Sequence, residues 1–141
     1  MFSATNLIKE WRTAFNLPTP TEYTKLSNDR LDFAFDLIEE ECGELKFDVA
    51  LRDWPKIVEE TVDLIWVCHQ LLLEMGVDVD QAVHIKYTSN MSKIVDTNDA
   101  ILPDSQYYEQ LPNGKFIIRD KTTGKVKKPD SYIKADYSQF K

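Results

Sequence analysis

Apolar side chains recur every three or four residues in four stretches of the first hundred positions, a spacing typical of helices that bury one face. The predicted helices span Ser3–Asn16, from just after Ser27 or Asn28 to about Leu51, Pro55–Met75, and from near Asp78 or Asp80 to about Asp96. Their ends carry matching signals, since Pro55 suits the first turn of the third helix and Gly76 suits the C-cap that follows it. The pattern therefore predicts a mainly helical chain.

The last third of the chain has a different pattern, with glycines, prolines and short β-branched runs in place of helical spacing. The runs KFIIR and KVKK flank Asp120–Gly124, an arrangement that predicts a β-hairpin. We therefore divide the chain into a helical core, residues 1–98, and a basic C-terminal extension, residues 99–141, which is irregular or folds as a short hairpin.

Four helices joined by short loops predict an all-α fold of the four-helix-bundle type. The third helix is apolar on nearly every side from Val62 to Met75, interrupted mainly by Asp63, His69, Gln70 and Glu74. A helix that is apolar all round needs partners all round, and one small chain can hardly supply them. We expect the bundle to assemble as a homo-oligomer.

The chain of 141 residues carries a formal net charge of −7, which argues against nucleic acid as a partner because affinity for phosphate backbones depends on cationic side chains. The most apolar window, Leu64–Met75, is too short to span a bilayer. The first residues, MFSATNLIKEW, lack the pattern of a signal peptide. We expect a cytoplasmic protein with no membrane partner, in which Cys42 and Cys68 are reduced, partly buried thiols.

Two pairs of carboxylates fall three residues apart on consecutive predicted helices. Glu41 and Glu44 share one side of the second helix, and Glu60 and Asp63 share one side of the third. The 15 residues between the pairs allow two antiparallel helices to bring them face to face. An isolated acidic pair is typical of a solvated helix face, but these pairs adjoin large apolar residues, and buried carboxylates must be protonated, paired or bound to metal.

The ligand types indicate which metal these carboxylates would hold. All four candidates are oxygen donors, which favours Mg²⁺, with Mn²⁺ as a substitute. The Glu-x-x-His pairs of di-iron bundles are absent, and the two cysteines have no zinc-ligand spacing. A carboxylate-held Mg²⁺ commonly serves a substrate that carries phosphates.

The fourth predicted helix offers the complementary charge. Lys86, Asn90 and Lys93 follow one another at i, i+4 and i+7 and form a single stripe. Two cations and an amide along one face suit a polyphosphate chain. The alternative is a helix that simply needs a polar side.

The ordered set EECGEL, EETVDL and Lys86-x-x-x-Asn90-x-x-Lys93 resembles the all-α nucleoside triphosphate pyrophosphohydrolases, the superfamily of MazG, phosphoribosyl-ATP pyrophosphatase and the dimeric dUTPases. The resemblance implies a MazG-like bundle, assembled as a dimer or tetramer, that hydrolyses a (deoxy)nucleoside triphosphate between the α- and β-phosphates. It implies metal ligands and a base that orients or deprotonates the attacking water. The implied ligands are Glu41, Glu44, Glu60 and Asp63, the implied base is Glu40, and the implied phosphate contacts are Lys86, Asn90 and Lys93.

Three aromatic side chains are candidates for a nucleobase pocket because they can stack on a base: Trp11, Phe15 and Trp66. Core packing is the alternative for each of them. The extension carries four lysines close together: Lys121, Lys125, Lys127 and Lys128. They would close over a bound triphosphate or over the acidic surface of a partner subunit; the alternative is a solvated hairpin with no role in catalysis. Phosphoribosyl-ATP is an alternative substrate. A redox di-metal carboxylate bundle and a non-catalytic helical oligomer are alternatives from other classes.

Overall fold

A computed structural model describes residues 3–141. The chain forms α1 (Ala4–Ala14), α2 (Asn28–Leu51), α3 (Trp54–Glu74), α4 (Val79–Met91), β1 (Gln106–Gln110) and β2 (Phe116–Asp120). It divides into two compact units, one ending at Asp80 and the other spanning Gln81–Lys141. The chain is mostly helical, as predicted, but the two-stranded sheet makes the all-α description incomplete. Within residues 3–141, no helix is long and apolar enough to cross a membrane.

Side-chain caps determine where the first three helices begin. In each case the residue before the helix accepts a hydrogen bond from a backbone N–H in the first turn, which would otherwise lack a partner. The caps are Ser3 for α1, Ser27 for α2 and Asp53 for α3. All three helices match the predicted bounds to within two residues.

Gly76 ends the third helix as predicted, and its environment shows why no other residue fits. Its φ is +68°, a left-handed conformation that favours glycine. A Cβ atom placed there would lie 2.0 Å from the carbonyl oxygen of Glu22. The loop that contains Glu22 therefore passes directly over the end of α3, where the backbone N–H of Thr24 also donates to the carbonyl of Met75 at 2.9 Å.

The core of the first unit is small and lies where α1, the end of α3 and the start of α4 meet. Ile8, Leu73 and Val79 are almost completely buried, and Trp66 and Leu72 pack against them. Large apolar side chains elsewhere on α2 and α3 are exposed in the single chain. The most exposed of these are Phe33, Phe35, Phe47, Leu51, Trp54, Val58 and Val62.

The second unit combines most of α4 with an antiparallel hairpin of β1 and β2. The register pairs Gln106 with Asp120 and Gln110 with Phe116. The turn between the strands contains Gly114 at φ +80°, a conformation that turns of this kind require. Ile117 and Ile118 of β2 are buried and form the apolar centre of the hairpin.

Two sequence predictions are corrected in this unit. The predicted fourth helix extends to about Asp96, but α4 ends at Met91, because Val95 pairs instead with Phe116 through two backbone hydrogen bonds of 2.9 Å. The run KFIIR does form a strand, but its main partner is the upstream segment Gln106–Gln110. The predicted partner, KVKK, makes one isolated bridge, between Val126 and Arg119.

Candidate metal centre

Three of the predicted metal ligands meet between α2 and α3 in the first unit. Glu41, Glu60 and Asp63 each offer a carboxylate oxygen, and these oxygens all lie within 4.8 Å of one another. Glu41 and Asp63 are half-buried, and Glu60 is 6% exposed. Three negative charges at this separation repel strongly when water is partly excluded, so the cluster needs protons or a cation.

Glu60 is the most deeply buried member of the cluster. Its Oε2 atom is buried and has no hydrogen-bond partner among the described residues. Burial raises the pKa of Glu60 above its ordinary value, and the neighbouring carboxyl group of Glu44 raises it further. Without a cation, Glu60 is therefore held towards its neutral form.

Glu41 responds to the same environment. Its pKa is raised first by burial and then by the charges of Asp63, Glu44 and Glu40. A raised pKa in a group of acids means that the charged forms lack compensation. The cluster thus has the electrostatic character of a cation site.

A hard divalent cation fits this donor set. The three side chains supply only oxygen ligands, the type preferred by Mg²⁺ and Mn²⁺, and the buried Oε2 of Glu60 has no hydrogen-bond partner among the described residues. Glu41, Glu60 and Asp63 would hold the ion. Glu44, the fourth predicted ligand, is exposed and contacts Glu60 rather than belonging to the three-residue cluster.

The remaining predicted chemistry is distributed over both units. Glu40, the predicted base, is exposed on α2 beside Glu41. The predicted phosphate stripe lies in the second unit, where Lys86 and Asn90 are exposed and Lys93 is half-buried. The ammonium group of Lys93 donates to Oδ1 of Asn90 at 2.9 Å, so two members of the stripe lie side by side.

The three predicted base-pocket aromatics form one connected group. The rings of Trp11 and Phe15 are 4.8 Å apart, and Trp66 meets Trp11 edge-on at 5.5 Å. Trp66 also packs against the core, whereas Phe15 is exposed. Trp11 lines a cavity of the first unit.

That cavity has a volume of about 420 Å³ and lies where α1, α2 and α3 meet. Phe33, Leu37 and Val67 supply apolar walls, and Gln70 and Arg30 supply polar groups. Leu37 is one helical turn from Glu41 and Val67 is one turn from Asp63. The cavity and the carboxylate cluster therefore occupy adjacent parts of one groove between α2 and α3.

Sequence reasoning missed a charged network at the inner end of this cavity. Arg12 is 2% exposed and Glu74 is 8% exposed, and their charged groups lie 3.8 Å apart. Arg30 donates two hydrogen bonds to the same carboxylate, at 2.8 and 3.1 Å. A signal was present, because a single glutamate inside the apolar run Val62–Met75 requires a cationic partner.

Arg12 also fixes the orientation of Gln70. Its guanidinium donates to Oε1 of Gln70 at 3.2 Å, and since arginine can only donate, the oxygen must face it. The Gln70 amide nitrogen is thereby left without a partner among the described residues, as a hydrogen-bond donor at the cavity wall.

Comparison with known proteins adds no family assignment. No family model matches the sequence, and no curated protein matches it.

Proposed function

We propose that the chain is a Mg²⁺-dependent nucleoside triphosphate pyrophosphohydrolase, which releases pyrophosphate and a nucleoside monophosphate. The observation that carries the proposal is the convergence of Glu41, Glu60 and Asp63, together with the buried Oε2 of Glu60, which has no hydrogen-bond partner among the described residues. The resemblance of the motifs Glu40–Leu45 and Glu59–Leu64 to the all-α pyrophosphohydrolases agrees with it. This chemistry also explains why acids occur beside an apolar groove.

The chain's own residues would perform three tasks in this reaction. Glu41, Glu60 and Asp63 hold the cation, which when bound neutralises phosphoryl charge and lowers the pKa of water. Glu40, exposed next to Glu41, accepts the proton of the attacking water. Lys86, Asn90 and Lys93 contact the leaving phosphates. Positioning and charge neutralisation supply most of the rate enhancement in such displacements, so no covalent intermediate is required.

The cavity beside the carboxylates supports a nucleobase as the non-phosphate part of the substrate. A volume of about 420 Å³ with an aromatic wall at Trp11 is typical of pockets for small planar ligands. The free amide nitrogen of Gln70 would donate to a carbonyl oxygen or ring nitrogen on the edge of the base. A base held there lies one helical turn from the cation ligands, which suits a nucleotide with its phosphates directed towards the metal.

A homo-oligomer is part of the proposal. Trp54, Val58, Val62 and Ile65 form a stripe along α3 at i, i+4, i+8 and i+11, and all four are exposed in the single chain. An apolar stripe of this length is typical of helices that pack against another subunit. The proposed compartment is the cytoplasm, where the free thiols of Cys42, which is exposed, and Cys68, which is half-buried, stay reduced. We propose no nucleic-acid or membrane partner.

The test is release of pyrophosphate from a panel of deoxy- and ribonucleoside triphosphates, with Mg²⁺ and with EDTA. We expect Mg²⁺-dependent release of equal amounts of pyrophosphate and monophosphate, and Glu60→Gln should lower kcat by at least about 100-fold. Glu59→Gln is the matched control, because Glu59 is the neighbouring residue on α3 but points to solvent and pairs with Lys56 at 2.6 Å. It should retain activity.

Two results would contradict the proposal. One is that no pyrophosphate is released from any nucleotide of the panel or from phosphoribosyl-ATP, the alternative substrate. The other is equal activity of the Glu60 and Glu59 variants. Thermal unfolding with and without Mg²⁺ separates a non-catalytic bundle from an enzyme tested on the wrong substrate, because a cation that binds the native state raises its melting temperature.

A further inference from the structure

The C-terminal segment, residues 128–137, is held against α4 and the following residue, Ser92, within the second unit. Three hydrogen bonds join them: Ser89 Oγ to Tyr132 Oη at 2.9 Å, Ile133 N to Ser92 Oγ at 2.8 Å, and Tyr137 Oη to the carbonyl of Ala82 at 3.1 Å. Ser89 is 2% exposed, so the hydroxyl that holds Tyr132 is buried beneath the segment. Each of these hydrogen bonds involves a side-chain hydroxyl group, so the contact depends on particular residues and not on the backbone alone.

Docking brings a third lysine to the predicted phosphate stripe. The ammonium group of Lys128 lies 4.8 Å from the centre of the Tyr132 ring, and that of Lys93 lies 6.0 Å from the same ring. The pKa of Tyr132 is lowered, first by the hydrogen bond from Ser89 and then by the charges of Lys128, Lys86 and Lys93. Three cations from two separate segments therefore surround one phenol.

These cations are not engaged in ion pairs within the part of the chain that the structure describes. Among residues 3–141, none of Lys86, Lys93 and Lys128 forms an ion pair with a carboxylate. Lys93 donates to the neutral amide of Asn90 instead. Cations gathered without acids repel one another, and a bound anion removes that repulsion.

We propose that Lys128 of the C-terminal segment joins Lys86 and Lys93 in one binding site for a polyphosphate chain, with Tyr132 as the residue that holds the segment in place. The inference rests on the proposed function, in which Lys86 and Lys93 contact the phosphates of the substrate. A chain of two or three phosphates matches three cations in charge. The Tyr132 hydroxyl accepts from Ser89 and keeps its own proton, so it can donate to a phosphate oxygen as well.

Binding of inorganic tripolyphosphate to the full chain in EDTA, measured by calorimetry, tests the inference without metal or hydrolysis. Lys128→Ala should weaken binding about tenfold, the loss expected for one charged contact. Lys128→Arg should stay within about threefold of wild type because the charge is kept. Lys134→Ala is the matched control, since Lys134 is an exposed lysine of the same extension that is not among the charges acting on Tyr132.

The outcomes separate this inference from the proposed function. Wild-type affinity in Lys128→Ala, or equal losses in the Lys128 and Lys134 alanine variants, would overturn the inference, even if the enzyme releases pyrophosphate from nucleotides. A selective loss in Lys128→Ala supports it, even if no nucleotide of the panel is hydrolysed.

Discussion

Removing the carboxylate of Glu74 should destabilise the first unit more than any change at its exposed partner. Arg12 is almost fully buried and stays charged, because a guanidinium does not lose its proton in proteins. Burial lowers the Arg12 pKa, and the charge of Glu74 is the influence that opposes this. Glu74→Ala therefore leaves a buried cation beside a second cation, Arg30, with no anion between them.

The size of the effect follows from this geometry. Breaking a buried ion pair by deleting one partner costs about 3–5 kcal/mol, a large part of the roughly 5–15 kcal/mol that stabilises a typical domain. Arg30→Ala is the matched control, because the Arg30 side chain is 49% exposed and its loss still leaves Glu74 paired with Arg12. That change should cost only about 1–2 kcal/mol, the value of hydrogen bonds to a charged group.

Urea unfolding at one fixed protein concentration measures both variants, since the stability of an oligomer depends on concentration. With a slope of about 2 kcal/mol per molar urea, Glu74→Ala should lower the midpoint by about 1.5–2.5 M. The double variant Arg12→Met, Glu74→Leu should recover part of the loss, because it removes the stranded charge and refills the space. A cost below about 1 kcal/mol for Glu74→Ala, or equal costs for Glu74→Ala and Arg30→Ala, would refute the reasoning.

Three further predictions concern the backbone, the carboxylates and the hairpin. Gly76→Ala should lower the free energy of unfolding by about 3 kcal/mol or more, because its Cβ would lie 2.0 Å from a carbonyl oxygen. Gly43 lies in open space within α2, so Gly43→Ala should raise the free energy of unfolding by up to about 1 kcal/mol. Thermal melts of the two variants in parallel test this difference. In EDTA, the free energy of unfolding should fall as the pH rises from 4.5, the ordinary pKa of a glutamate, through the raised folded-state pKa of Glu60. The reason is that the folded state holds this proton more tightly than the unfolded state does. Urea melts at about pH 5 and about pH 8 should show this, with a flatter dependence in Glu60→Gln. Asp120 has a lowered pKa because it accepts hydrogen bonds from the backbone and hydroxyl of Thr123 and the backbone of Thr122. The stability that these hydrogen bonds give the hairpin should therefore be lost as the pH falls through the lowered folded-state pKa of Asp120. Amide exchange of the β2 strand should record this loss, and Asp120→Asn should reduce its pH dependence.

The helices could be predicted because their signals are local. Caps such as Ser27 and Asp53, and the C-cap glycine Gly76, act within one turn of the helix end. The end of α4 was overestimated because the competing interaction is remote: Val95 pairs with Phe116, and nothing near Val95 in the sequence indicates this. The sequence offers two turn signals around KFIIR, Asn113-Gly114 and Asp120–Gly124. Both turns form, but only the first joins two paired strands, and local signals do not rank the two.

The carboxylate cluster could be anticipated for a similar reason. A spacing of three residues puts Glu60 and Asp63 on one side of α3. The one further condition for the cluster is that α2 packs against α3, which consecutive helices joined by a short loop commonly do. Contacts such as Arg12 with Gln70, or Ser89 with Tyr132, join residues 58 and 43 positions apart. No periodicity in the sequence records them, and they require the folded chain.

Two clusters of like charge in this protein have opposite signs. One is the acid cluster of the first unit, in which Glu60 keeps a buried oxygen without a donor; the other is the set of lysines around Tyr132 in the second unit. Neither helps the apo-protein to fold, since each gathers like charges that repel. Departures of this kind from otherwise consistent packing are typical of functional sites. A divalent cation relieves the first and a polyphosphate the second, and Mg²⁺ complexes of nucleoside triphosphates carry both. Under the proposed function, a nucleoside triphosphate and its Mg²⁺ would supply both ligands.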